Sequence, residues 1–251
     1  DYVIASDTDS IYLNLGPLVQ SVYKGREATN ESIVSFLDKV CKMELEKYIE
    51  SSYEALATYV GAYEQKMVMK RENIANKGIW TAKKRYILNV WDSEGVRYEK
   101  PKLKIMGIEA VKSSTPAACR NSIRDCLTVI MNEDEEAAQQ FVADFRTHFE
   151  ELPIEDISFP RGCNGINKWS NPTTIYSKGT PIHVRGALKT PNKIGENVIS
   201  YLNTFPKELG LDKQVDYELQ FNKSFLDPIK VIMDVIGWQP EKVASLEFLF
   251  G

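Results

Sequence analysis

Asp7 and Asp9 lie two positions apart in Tyr2-Val-Ile-Ala-Ser-Asp7-Thr8-Asp9-Ser10-Ile-Tyr12-Leu-Asn-Leu15. Two apolar, β-prone runs flank the tight Asp-Thr-Asp segment, which predicts a hairpin with two carboxylates at its tip. Side chains alternate faces along a strand, so residues two apart point the same way. On that spacing Asp7 and Asp9 converge on one hard cation, and paired carboxylates are what Mg²⁺ sites for phosphate chemistry use. An Asp-x-Asp turn taken alone is a weak signal that better fits a solvated turn, and such turns also hold Mn²⁺ or Mg²⁺ in sugar-nucleotide transferases. The flanking pattern, an apolar strand before and Ile-Tyr after, makes two-metal phosphoryl transfer the more specific reading.

A second cluster lies downstream in Trp80-Thr-Ala-Lys83-Lys84-Arg85-Tyr86-Ile-Leu-Asn-Val. Read as one strand, it puts Lys83 and Arg85 on one face and Lys84 and Tyr86 on the other. One face then meets phosphates while the aromatic anchors the strand or a sugar. The same three cations would also suit an edge strand guarded against aggregation. Glu72, in Lys70-Arg71-Glu72, is either a third carboxylate near the metals or half of a surface ion pair. At the other end, Leu246, Leu249 and Phe250 recur at helical-turn spacing in a terminal apolar tail. Such a tail must be covered, by its own core or by a partner's groove; its place after Pro240 favours the partner.

The 251 residues suffice for one or two domains, and 43% hydrophobic with 26% charged content is ordinary for a globular protein. No apolar run approaches the length of a membrane span. Cys41, Cys119, Cys126 and Cys163 are scattered without metal-ligand spacing and read as reduced, buried thiols. Two histidines, His148 and His183, leave little for a zinc site or a Ser-His-Asp arrangement. Net charge is −4, but it is segregated: Lys66 to Lys112 holds twelve basic residues against five acidic, and Glu133 to Asp156 holds nine acidic against Arg146 alone. That pattern suits a basic stripe tracking a phosphate backbone, or two separately solvated surfaces.

The elements that must position these residues follow from periodicity and punctuation. Gly16 to Thr29 reads as a loop. Asn30 caps an amphipathic helix carrying Ile33, Phe36, Leu37, Val40, Leu45, Tyr48 and Ile49 and ending near Gly61. A β-like section begins at Met67 to Met69, and Tyr86 to Val90 with Val96 to Tyr98 form a hairpin about Asp92-Ser-Glu-Gly95. Lys102 to Met106 adds a strand before Gly107. Ser114-Thr-Pro116 starts a helix to about Asn132, with hydroxyl caps and Pro116 at its first position. An acidic helix spans Glu133 to Glu151, Pro153 to Asn192 is irregular, and helices cover Gly195 to Tyr201 and Leu226 to Ile236. The class is α+β, an antiparallel sheet portion with a packed helix followed by a mainly helical part, divided near Gly107 to Ser113. Because the chain opens at Asp1 inside a strand and beside a candidate catalytic turn, a fragment or one piece of a split enzyme is expected.

Taken together these residues resemble a family B DNA polymerase, of the T-even phage type. The similarity runs in order from the Asp7 to Tyr12 hairpin through Lys70-Arg-Glu-Asn-Ile-Ala75, Trp80 to Tyr86, Asn89-Val-Trp-Asp92, Pro101 to Gly107, Lys112-Ser-Ser-Thr-Pro116 and His183-Val-Arg185-Gly186 to the terminal Ser-Leu-Glu-Phe-Leu-Phe. The resemblance implies the C-terminal part of a palm over residues 1–107, a thumb over 108–240 and a clamp-binding tail over 241–251. It implies that Asp7 and Asp9 are catalytic and hold Mg²⁺, with Glu72 supporting. Lys83, Lys84, Arg85 and Tyr86, with Lys112 and Arg185, would contact primer–template DNA, and Leu246, Leu249 and Phe250 would enter a sliding clamp. It also implies a deoxynucleoside triphosphate substrate, no membrane partner, and a place in the cytoplasm of an infected bacterium.

Departures from the family pattern matter as well. The exonuclease domain, the first palm motif with its other metal-binding aspartate, and the fingers have no counterpart here. Ser6 stands where the family usually has Gly, and Lys70 where an acid is common. An N-terminal polymerase portion is therefore an expected partner, and the chain alone is expected to be inactive. The alternative is a separately encoded, non-catalytic subunit that binds DNA and the clamp.

Overall fold

The computed structural model of the chain describes residues 2–160, 182–183, 198–199, 201, 204–205, 207–210 and 212–242. It divides into two units, Asp1–Gly78 with Ile87–Lys104, and Ile79–Tyr86 with Ile105–Gly251. Among the described residues no helix is long and apolar enough to cross a membrane.

The first unit opens with the expected hairpin. Strands β1 (Val3–Asp7) and β2 (Ser10–Leu13) pair antiparallel, with Asp7 opposite Ser10 and a bulge between Val3 and Ala5. Tyr2, Val3, Ile4 and Ile11 remain exposed. Gly16 to Thr29 is not all loop, because α1 (Gly16–Val22) occupies it with Pro17 in the first turn, where a missing N–H costs nothing. Next come α2 (Asn30–Val40), a π-helical turn (Cys41–Leu45) and α3 (Glu46–Tyr59), which run on without a break. The cap of α2 is Thr29, whose Oγ1 accepts from the Ser32 N–H at 3.2 Å, and Asn30 is the first helical residue. Gly61, at φ +65°, lies just beyond the helix end as expected.

A three-stranded antiparallel sheet follows in the order β3 (Asn73–Ala82), β4 (Arg85–Ser93), β5 (Val96–Met106). Residues 67–72 are not strand, and β5 runs unbroken through Pro101 where the sequence predicted two pieces. Central β4 buries Ile87, Leu88, Asn89 and Val90 consecutively, as a strand covered on both faces does. Glu94 and Gly95, at φ +52° and +91°, make the two-residue turn between β4 and β5.

The second unit is mainly helical. Its core is built by α4 (Ala117–Asn132), α5 (Glu135–Phe149), α7 (Tyr217–Phe221), a second π-helical turn (Asn222–Leu226) and α8 (Asp227–Val235), with the single-turn α6 (Ile154–Ile157) beside them. Cys119, Ile123, Cys126, Leu127, Ile130 and Met131 line the inner face of α4 at helical spacing. Phe145, Phe149, Phe221 and Phe225 form one aromatic cluster, with Phe145 and Phe225 centroids 4.6 Å apart. Helix α4 starts one residue later than expected: Pro116 is the cap position and no side chain caps it, while Asp134 caps α5 by accepting from the Ala137 N–H at 3.0 Å. The helix expected over Gly195 to Tyr201 is corrected, since Val198–Ile199 is a strand, β7, paired antiparallel with β6 (Ile182–His183). The thiols of Cys41, Cys119 and Cys126 are unbridged and buried, while Cys163 lies outside the described residues.

Candidate functional site

Asp7 closes β1 and is half-buried; its Oδ1 accepts from the Thr8 N–H at 3.0 Å and the Thr8 hydroxyl at 3.2 Å. Asp9 is exposed in the two-residue turn rather than on a strand. Strand alternation therefore does not set the relation between the two carboxylates; the turn does. The donor set still suits a hard cation, with two carboxylates at one hairpin tip and the Ser10 hydroxyl beside them, donating to the Asp7 carbonyl at 3.4 Å. Among the described residues no group of three or more His, Cys, Asp or Glu side chains could hold a metal.

Glu72 lies outside the strands with its side chain 56% exposed. Its carboxylate accepts from the Lys104 ammonium, and that bond holds it below the usual carboxylate range. Its carbonyl accepts from the Glu94 N–H at 2.6 Å, at the β4–β5 turn. Glu72 is thus engaged in the surface ion pair that its local sequence favours over a metal-ligand role.

Lys83 and Lys84 are not on a strand. They form the turn between β3 and β4, both exposed, and Lys84 has φ +62°. The predicted two-faced arrangement gives way to two cations projecting from a hairpin tip. Tyr86 lies on β4, its ring 6.1 Å from that of Trp80 on β3. Arg85 turns inward: one guanidinium nitrogen donates to both carboxylate oxygens of Glu109, at 3.1 and 2.9 Å. Lys112 donates to the same carboxylate at 2.8 Å. Burial raises the Glu109 carboxyl, but the Lys112 hydrogen bond, its own backbone N–H and the Arg85 charge outweigh it and leave it below its ordinary value. Arg185, Leu246, Leu249 and Phe250 lie outside the described residues.

Sequence reasoning singled out neither Glu109 nor the charge network in the first unit. There Arg71 bridges Asp92 on β4 and Asp38 on α2, the latter at 2.6 Å, and its backbone N–H donates to Glu46 at 3.1 Å. Asp92 also accepts from the Gly95 N–H at 2.9 Å, and Arg97 approaches it at 3.7 Å. The only sequence signal was an Arg and an Asp inside otherwise β-prone segments. Their partners stand 21 and 33 positions apart, beyond any local pattern.

The chain is 31% identical over 288 aligned positions to the DNA-directed DNA polymerase of Enterobacteria phage T4, covering 100% of this chain and 32% of that polymerase. It is 36% identical over 205 positions to the DNA-directed DNA polymerase of Escherichia phage RB69, covering 78% of this chain and 23% of that polymerase. No family model matches it. Both relatives share one enzyme class, template-directed DNA synthesis by name. In sequence the chain belongs to the family of these phage DNA polymerases, and it spans about a third of the first relative's length and under a quarter of the second's.

Proposed function

We propose that this chain is the C-terminal palm and thumb portion of a viral replicative DNA polymerase of family B, with palm over 1–107, thumb over 108–240 and a clamp-binding tail over 241–251. The observation that carries the reading is the similarity of the whole of this chain to about a third of a phage polymerase. The exposed lysine turn supports it.

In the assembled enzyme, Asp7 and Asp9 would hold Mg²⁺ together with a carboxylate from the N-terminal portion, and the ion would supply charge neutralisation and activation of the attacking oxygen. Lys83 and Lys84 hold the primer–template backbone as point charges, leaving sequence unread, as a polymerase requires. Tyr86, braced by Trp80, limits where the primer end can sit. The primer 3′-hydroxyl then attacks the α-phosphate of a deoxynucleoside triphosphate bound largely by the other portion. Glu72 takes a supporting rather than a metal-holding role, its carboxylate being engaged by Lys104. Leu246, Leu249 and Phe250 enter a sliding clamp, and the enzyme works in the cytoplasm of an infected bacterium.

The test is a fluorescence-anisotropy titration of primer–template DNA with the chain at rising salt. Binding that weakens steeply with salt, and is lost in Lys83→Ala/Lys84→Ala, supports the reading. Absence of binding at low salt counts against it. Primer extension is expected to be undetectable with the chain alone, and robust extension would sink that part.

A further inference from the structure

We propose that Glu109 is a positioning residue for the Lys83–Lys84 turn: its carboxylate tethers Arg85 and Lys112 and, with Gly107, fixes the backbone from which the two lysines reach nucleic-acid phosphates. The inference rests on the duplex-gripping reading of those lysines. It deepens that reading by separating cations that touch DNA from cations that hold the turn.

Lys84 occupies the left-handed region at φ +62°, where a residue with a side chain persists only if its surroundings over-determine it. Its neighbours meet that condition. Gly107, itself at φ +66°, lies against the Lys84 carbonyl oxygen so closely that an added Cβ would collide with it, and that Cβ would also come within 3.2 Å of the Arg85 side chain. The Thr81 hydroxyl donates to the Arg85 carbonyl at 3.3 Å. Glu109, 22% exposed at the head of a 3₁₀ turn (Glu109–Val111), takes the Arg85 guanidinium and Lys112 with it. Arg85 and Lys112 therefore neutralise a partly buried carboxylate, and the exposed residues of the turn itself are Lys83 and Lys84.

Charge and position make opposite demands, which gives the test its sign. Glu109 is an anion beside a DNA-binding turn, so deleting its charge should tighten duplex binding on electrostatics alone. Loss of positioning should weaken it. Anisotropy titrations of primer–template DNA, at several salt concentrations, would compare wild type, Glu109→Gln, Arg85→Gln, Lys83→Ala/Lys84→Ala and their combinations, each checked by circular dichroism melting. Expected is a roughly 3- to 10-fold loss for Glu109→Gln, the same loss for Arg85→Gln and no further loss in the double variant, since both break one tether. The salt slope should flatten by about 0.9 for each phosphate that is no longer neutralised. On the Lys83→Ala/Lys84→Ala background, Glu109→Gln should no longer weaken binding, leaving only the slight tightening expected from the lost anion. Glu109→Asp, which keeps the charge, should restore part of the affinity.

Wild-type or tighter binding by Glu109→Gln beside a weakened Lys83→Ala/Lys84→Ala overturns the tether and leaves the grip reading intact. The same follows if Arg85→Gln alone is weakened, which would assign Arg85 to the phosphates. Equal losses from Glu109→Gln on both backgrounds also overturn it, as general damage. Unaltered binding in Lys83→Ala/Lys84→Ala overturns the grip reading and the tether together.

Discussion

Asp92 is 1% exposed and is neutralised by Arg71, whose own side chain is 8% exposed. An ionised carboxylate so far from water is tolerable only beside a cation and hydrogen-bond donors. Arg71 supplies the first, the Gly95 N–H the second, and Asp38 balances the guanidinium. The network joins the C-terminal end of α2 to the β4–β5 turn, and so braces the first unit where two distant segments meet.

Breaking that pair should be among the most damaging single changes. Arg71→Ala is expected to destabilise by about 3–5 kcal/mol, because it leaves the buried Asp92 carboxylate with only the more distant, exposed Arg97. Arg71→Ala/Asp92→Asn should recover part of the loss. Urea midpoints of the three proteins decide it, and an Arg71→Ala midpoint equal to wild type would show the pair to be dispensable.

Acid should unfold the chain through named carboxyls. Asp38 is lowered by the Lys42 hydrogen bond and then by Arg71; Glu72 is lowered by Lys104; at Glu109 the pull of Lys112 and Arg85 exceeds the effect of burial. A folded pKa below the unfolded value of about 4 gives stability that is complete above pH 4 and is lost as pH falls through the folded values. Urea midpoints should be flat from pH 7 to about 5 and fall below 4. A midpoint unchanged down to pH 2.5 would contradict this.

The buried thiols should be inert. Burial pushes the Cys119 thiol up to about 11 and Cys126 up to about 12, and raises Cys41 as well. Thiolate is the reactive species, so alkylation of the native chain at pH 8, mapped by mass spectrometry, should leave these three unmodified until denaturant is added.

Phe145 meets Phe149, Phe221 and Phe225 at the centre of the helical unit. Phe145→Ala should cost about 3–5 kcal/mol through the cavity it leaves. Phe145→Leu should cost less. Equal thermal midpoints for all three proteins would mean the cluster relaxes around the gap.

Lys84→Gly separates stability from binding at one position. Glycine relieves the left-handed strain and is expected to stabilise by about 0.5–1 kcal/mol net of its greater freedom in the unfolded chain. The same change removes a cation from the hairpin tip, so duplex binding should fall and its salt slope flatten. A variant both more stable and equally tight would remove Lys84 from the residues that touch DNA.

Much of this architecture was written in local pattern. The apolar spacing of α4, α5 and α8, the two β-prone runs around Asp7 to Ser10 and the Glu94-Gly95 turn each carry a short-range physical cause, and each lies where the sequence predicts it. Helix α1, with Pro17 in its first turn, lies where the sequence predicts a loop. The predicted helix over Gly195 to Tyr201 failed at Val198-Ile199, two β-branched residues that pair with Ile182-His183. Strand pairing depends on a segment elsewhere in the chain, which periodicity does not report.

The sequence by itself determined the α+β class, the inventory of carboxylates and cations, and the kinship with phage DNA polymerases, because helix periodicity, residue chemistry and ordered motifs are local or linear properties. Only the tertiary structure decided that Lys83 and Lys84 are a turn, that Arg85 and Lys112 share Glu109, and that Arg71 neutralises Asp92 and Asp38. An ion pair forms where folding brings two charges within about 4 Å. Residues 21, 24 and 33 positions apart reach that distance only once the backbone between them has folded.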